Sequence, residues 1–156
     1  MKKIYLASGL FNAGERLHNL FLEKHLMALG YEIILPQREA LKHFKDQKFD
    51  IRCVVDECQK FCSDPGVIYV GNVDGADADS GTCIEYGIAI SLTGRAILFR
   101  TDFRTDLARE IGVNGMLSMK GTIFIYDPCY FTELEQIESY YIGLAAKIHN
   151  AIIACQ

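Results

Sequence analysis

The chain has 156 residues, half of them apolar and 23% charged, with a formal net charge of −4. Such a length and composition fit one globular domain over residues 1–156, with enough chain to bury a core. A negative balance without a dense basic block argues against nucleic-acid binding through phosphates, and no window supplies the roughly 20 apolar residues of a membrane span.

The opening MKKIYLASGLF has the outline of a signal peptide. Its apolar run is short, however, and Asn12, Glu15 and Arg16 follow at once, so it reads as a first strand over 3–8 and the protein as cytoplasmic. Leu17, Leu20, Phe21 and Met27 recur near helical spacing over 15–29, and Gly30 is a natural stop. Residues 32–35 (EIIL) predict a second strand ending at Pro36, and Ile51, Val54, Val55, Cys58 and Cys62 carry a helix over 48–62. The turn Asp64-Pro65-Gly66 introduces a third strand, Val67–Val70. A helix from about Thr82 to Leu92, stopped near Gly94, precedes a fourth strand, Ala96–Phe99. Residues 100–121 read as a long functional loop with a short helix, followed by a fifth strand, Thr122–Tyr126, and an amphipathic helix over 132–154.

Strands alternating with helices predict a parallel sheet covered on both faces, with ligands bound beyond the carboxyl ends of the strands. No GxGxxG follows the first strand, so a dinucleotide fold of the usual kind is not indicated. The six cysteines form no CxxC pair and the four histidines are scattered. Buried, reduced thiols are therefore expected rather than a disulfide framework or a metal centre.

Residues 74–90, DGADADSGTCIEYGIAI, crowd carboxylates where a strand hands over to a helix. One reading is a solvated acidic loop. A calcium loop would match Asp74 and Glu85 as first and twelfth positions, but Ala76 and Ala78 stand where oxygen ligands are needed and Asp79 replaces the turn glycine. The third reading is catalytic. Glu85 near the start of a helix would be held ionised by the dipole, with a lowered pKa, and would suit attack on a carbon carrying positive charge. Asp79, six residues earlier, could approach the same ligand from another side. Two such carboxylates can serve an oxocarbenium-like glycosyl transfer, and Gly81 and Gly87 leave room for the ligand.

The pattern D-x-G-T-x-x-E-x-G-x-A from Asp79 to Ala89 resembles the signature of nucleoside 2-deoxyribosyltransferases. The opening I-Y-x-A-x-x-x-F (Ile4, Tyr5, Ala7, Phe11) is similar to that family's first strand and following loop. Asp56 is spaced before Asp64 like a family aspartate facing the base, and Val113 to Met116 resembles an N-x-M element. The resemblance implies a flavodoxin-like α/β three-layer sandwich with a mainly parallel five-stranded sheet. It further implies that 2′-deoxyribose moves between nucleobases through a covalent deoxyribosyl–Glu85 ester. Tyr5 would touch the nucleophile and Phe11 pack on the base. Of Asp56 and Asp79, one would protonate or hydrogen-bond the leaving base and the other anchor base or sugar, while Gln37 could meet a base edge. Asn114 and Met116 would enter a neighbouring subunit's site, making the active form a homo-oligomer with shared sites. Its partners would be deoxynucleosides and free nucleobases, with no metal or organic cofactor. The chain departs from the family at its end, where Ile153-Ala-Cys-Gln156 has no aromatic residue. Two rival readings stay open: a deoxyribonucleoside 5′-monophosphate N-glycosidase on the same scaffold, and a binding module without turnover. Arg100, Arg104 and Arg109, otherwise surface or ion-pair residues, could bind a phosphate.

Overall fold

The computed structural model describes residues 1–104 and 112–155. Five strands, β1 (Lys3–Ala7), β2 (Glu32–Ile34), β5 (Val67–Asn72), β6 (Ala96–Arg100) and β7 (Thr122–Tyr126), form one parallel sheet in the order β2-β1-β5-β6-β7. A separate two-stranded ribbon, β3 (Phe44–Lys45) and β4 (Lys48–Phe49), stands apart from it. Helices α1 (Ala13–Ala28) and α5 (Glu135–Ala154) cover one face, and α3 (Ile51–Ser63) and α4 (Ser80–Thr93) the other. The short α2 (Pro36–Glu39) leads through a 3-10 turn, Ala40–His43, into the ribbon. This is the predicted α/β three-layer sandwich.

Strand alternation sorts the core. On β1, Ile4 and Leu6 pack toward α1 and α5, while Tyr5 and Ala7 face α3 and α4. On β6, Ile97 and Phe99 join the first cluster, and Ala96 and Leu98 the second. Tyr5 is thereby directed under the same two helices that carry the acidic motif.

Several boundaries move from those expected. Helix α1 begins at Ala13 because Asn12 and Glu15 make a capping box: the Glu15 amide donates to Asn12 Oδ1 at 3.0 Å, and Glu15 Oε2 accepts from the Asn12 amide. Helix α3 starts at Ile51, capped by Asp50, and α5 at Glu135. The β3–β4 ribbon and α2 had no clear sequence signal. The ribbon's turn holds Asp46 and Gln47 at positive φ (48° and 62°) without a glycine to mark it. In the predicted loop, Gly115–Ser118 forms a 3-10 turn. Arg109 lies outside the described residues.

The six cysteines are free thiols, but only Cys62 is buried. The expectation of buried cysteines thus fails for the others, because α3, α4, the loop after β7 and the end of α5 leave theirs at the surface or half-covered. Among the described residues no helix is long and apolar enough to cross a membrane.

Gly94 ends α4 in the left-handed conformation, and its carbonyl oxygen lies against Gly121, itself at φ +95°. A Cβ on Gly121 would overlap that oxygen and adopt an unfavourable φ. Gly121→Ala should therefore lower unfolding stability by at least about 2 kcal/mol, read from the midpoint of urea denaturation.

Candidate active site

The sheet reverses its winding between β1 and β5, which are neighbours although far apart in sequence. Loops leaving such a switch point diverge and open a crevice at the carboxyl edge. Here the crevice is a cleft of about 440 Å³. Leu10 and Phe11 of the β1–α1 loop form one wall, Ile51, Val55 and Gln59 of α3 another, and Asp79, Ile84 and Glu85 of α4 the third.

Helix α4 begins at Ser80, earlier than the sequence suggested, because Asp79 is its N-cap. Asp79 Oδ1 accepts from the Thr82 amide at 2.9 Å and from Thr82 Oγ1 at 3.3 Å. Glu85 consequently sits in the second turn, half-buried, beneath the cleft. Tyr5 Oη donates to Glu85 Oε1 at 2.7 Å. Burial, and then the Glu85 charge, push the Tyr5 hydroxyl far above its ordinary value, so the phenol stays protonated and acts as a donor.

The expectation of a lowered Glu85 pKa is corrected. Burial pushes it up from 4.5 to about 7, against the opposing effect of hydrogen bonds from Tyr5 and Cys58, with the Asp79 charge adding to the rise. The dipole argument fails because it acts mainly within the first turn, and Glu85 lies beyond it under apolar cover.

The other carboxylates of the motif have separate duties. Asp74 Oδ1 accepts from the Thr101 and Asp102 amides at 2.5 and 2.8 Å, and Oδ2 from the Thr101 hydroxyl at 2.5 Å. It clamps the loop after β5 to the loop after β6 and so is more than a solvated loop acid.

The expected site residues fall into three groups. Tyr5, Phe11, Asp79, Gly81 and Glu85 come together: Phe11 is 79% exposed on the rim, and the other three join Glu85 along the cleft or beneath it. Asp56 and Gln37 do not. Asp56 is exposed on α3 outside the cleft lining, since the helix turns Val55 and Gln59 inward instead. Gln37 is 6% exposed, and its amide is engaged internally, Oε1 accepting from Asn19 Nδ2 at 3.0 Å and Nε2 donating to the Arg16 carbonyl at 3.3 Å. Asn114 and Met116 form the third group. They line a different cavity, of about 340 Å³, with Tyr86 and Gly87 of α4.

A second polar cavity, of about 510 Å³, adjoins the cleft, sharing Ser8 and Asp79 with it. Its lining includes Glu15, His18, Asp74, Asp77 and Arg104. Arg104 is ion-paired with Asp102, whose carboxyl it holds down at about 2. Arg100 is buried rather than at the surface, donating to the carbonyls of Val73, Asp102 and Arg104 at 2.8–3.3 Å. The loop carbonyls consume it.

Gln59 and Cys58 were missed as cleft residues. Their only signal in the sequence is the helical spacing from Val55, which is equally that of a packing face.

Fold and cleft define a parallel α/β protein that holds a carboxylate of near-neutral pKa beneath an open, largely apolar cleft. Residues 4–125 match the family model described as Nucleoside 2-deoxyribosyltransferase, and the chain belongs to that family. No curated protein matches it. Among solved structures it is similar to a conserved protein from Enterococcus faecalis V583 at 18% identity and a TM-score of 0.62, covering 92% of this chain and 99% of that one. It is also similar to a 2-deoxyribosyltransferase from the psychrotolerant bacterium Bacillus psychrosaccharolyticus, at 22% identity and a TM-score of 0.58, covering 92% and 95%. At these identities the likeness establishes the fold.

Linkage makes the Glu85 pKa a stability statement. Between about 4.5 and 7 the folded chain keeps a proton that the unfolded chain has lost, so this group favours folding at low pH and that benefit is lost as pH rises through 7. Glu85→Gln should therefore melt higher than wild type at pH 8 and nearly equal to it at pH 4. Equal melting curves at both pH values would contradict the burial argument.

Proposed function

We propose that the chain transfers 2′-deoxyribose between nucleobases, with Glu85 as nucleophile. The observation that carries this reading is the Tyr5–Glu85 pair beneath an apolar cleft. Tyr5 engages Oε1 and leaves Oε2 to attack the anomeric carbon. A Glu85–sugar ester forms as the bond to the base breaks, and the base departs with the electron pair, taking its proton from water at the open rim. A second base then attacks the anomeric carbon from the face the first one left. The Glu85 carboxylate departs with the electron pair of the ester bond and the base's N–H proton passes to the hydroxide left at the rim, so two inversions retain configuration.

Asp79 anchors the sugar. Its Oδ1 is held by the helix cap, and Oδ2 accepts from a free 5′-hydroxyl. A 5′-phosphate would bring a charge of roughly −1.5 to −2 against this carboxylate and those of Asp74 and Glu15 next door. Arg104, already paired to Asp102, offsets little of that repulsion. The hydrolase reading, which needs a phosphate-binding pocket, is correspondingly weaker. Asn114, whose Oδ1 accepts from the Met116 amide at 3.0 Å, keeps its NH2 for a sugar hydroxyl in a second copy's cleft. Met116 is 68% exposed beside it, which suits such a reach.

Incubating deoxyadenosine with a foreign free base should yield the exchanged deoxynucleoside. Glu85→Ala should cut that rate by at least on the order of 10³-fold. Trapping with a 2-fluoro-deoxynucleoside should add the sugar's mass to the Glu85 peptide, and an unmodified peptide in an active enzyme would remove the covalent step.

Asp79→Ser should weaken deoxyadenosine use while raising kcat/KM for its 5′-monophosphate. If wild type already prefers the monophosphate with water as acceptor, the hydrolase is the correct reading.

Mixing inactive Glu85→Ala and Asn114→Ala chains should restore part of the activity, because a mixed assembly forms one intact site. Absence of recovery after proven subunit exchange would place the whole site in one chain.

A further inference from the structure

The cleft wall is almost wholly apolar on the side facing Glu85. Phe11, Phe49, Ile51, Val55 and Ile84 supply flat, greasy contacts that any planar heterocycle could use. They cannot tell one base from another, since every base has a similar π-face. Discrimination needs a polar group on the same wall.

The polar lining residues are few, and most are already committed. Glu85 is tied to Tyr5. Asp79 and Thr82 bond each other at the start of α4. Cys58 lies beside the Glu85–Tyr5 pair and hydrogen-bonds with it. Ser8 is at the junction with the neighbouring polar cavity. Gln59 is different. It stands on the α3 wall next to Cys58, one helical turn beyond Val55, at an exposed position. Among the described residues its side-chain amide has no partner. In contrast, Gln37, the glutamine expected to read the base, is sealed inside by Asn19 and Arg16.

Resting on the transferase reading above, we propose that Gln59 is the base-selecting residue of this cleft. A carboxamide offers one acceptor and one donor side by side, and it serves either polarity by rotating through 180°. Adenine presents an N–H donor beside a ring-nitrogen acceptor, cytosine does the same, and guanine and thymine present a ring N–H beside a carbonyl. All four edges therefore fit one rotamer or the other. Gln59 therefore does not rank these four bases among themselves; it selects for bases that carry an adjacent donor and acceptor and against analogues that lack the pair.

The chemistry gives a directional test. A carboxylate at this position accepts only. It would match guanine, whose N1–H and N2–H donors lie together, and would meet a lone pair on adenine's ring nitrogen. Binding of free adenine and guanine to the full chain, measured by calorimetry for wild type, Gln59→Leu and Gln59→Glu, reads this directly. Leucine should weaken both bases about tenfold, consistent with the loss of one bidentate pair. Glutamate should shift the guanine-to-adenine affinity ratio by about tenfold toward guanine. The same shift should appear in kcat/KM for the bases as acceptors. The added charge near Glu85 affects every substrate alike and cancels in that ratio.

An unchanged ratio in Gln59→Glu, with melting behaviour like wild type, overturns the proposal. So does an unchanged affinity in Gln59→Leu. Should the leucine variant fail to fold, the glutamate variant still decides. A wild type that binds bases but exchanges none would count against the transferase reading alone, and the binding ratios would still judge Gln59.

Discussion

Tyr5 and Glu85 are 80 residues apart, and their 2.7 Å hydrogen bond constrains most of the site. It requires β1 to present its odd side chains to the α3–α4 face, and it requires α4 to cross the sheet edge within reach of β1. Both follow from β1 and β5 being neighbours at the switch point. Burying a carboxylate costs several kcal/mol unless donors replace water, and the phenol supplies one such donor. The balance is incomplete, so the pKa settles at about 7. A group in that range is protonated or ionised with little energy difference at neutral pH, which on the proposed mechanism suits a carboxylate that attacks and is later expelled from the ester.

The acidic stretch at 74–90 divides into tasks that composition alone runs together. Asp74 is consumed by three hydrogen bonds that fix the β5 and β6 loops against each other. Asp79 both starts α4 and faces the cleft, so the residue that sets the helix register also sets the height of Glu85. Had α4 begun at Thr82, Glu85 would lie in its first turn, and the dipole would hold it ionised. The cap two residues earlier moves it into the region where burial dominates.

Much of the fold was legible because five apolar strands alternate with amphipathic helices and each break carries a Gly, Pro or Asp. The β3–β4 ribbon was not legible, since its positive-φ turn is made by Asp46 and Gln47. In the site, the Asp79–Glu85 spacing survives because it runs along one capped helix. Asp56 and Gln37 lie outside the cleft lining for a common reason. Linear spacing fixes neither the rotation of α3 about its axis nor whether a polar side chain is spent inside. Rotation brings Val55 and Gln59 inward and leaves Asp56 outside, while Asn19 and Arg16 claim Gln37. The sign of the Glu85 shift was missed because burial is a three-dimensional quantity.

On the proposed mechanism, transfer competes with hydrolysis once the ester has formed, and the cleft wall bears on that competition. Water gains nothing from Phe11, Ile51, Val55 and Ile84, whereas a planar base covers them and removes apolar area from solvent at about 25 cal/mol per Å². A bound base is also held in line with the ester carbon, while a water molecule in an apolar cleft has few groups to orient it or to accept its proton. The nearest carboxylate, Asp79, has one oxygen fixed by Thr82 and is turned to the sugar in this reading. Phe11 therefore matters beyond stacking. It rides on a loop whose Phe11 amide is held by Glu15 Oε2 at 2.7 Å, which fixes the backbone from which the exposed ring projects. On the proposed mechanism, apolar cover that admits a base and leaves water unassisted favours transfer over hydrolysis.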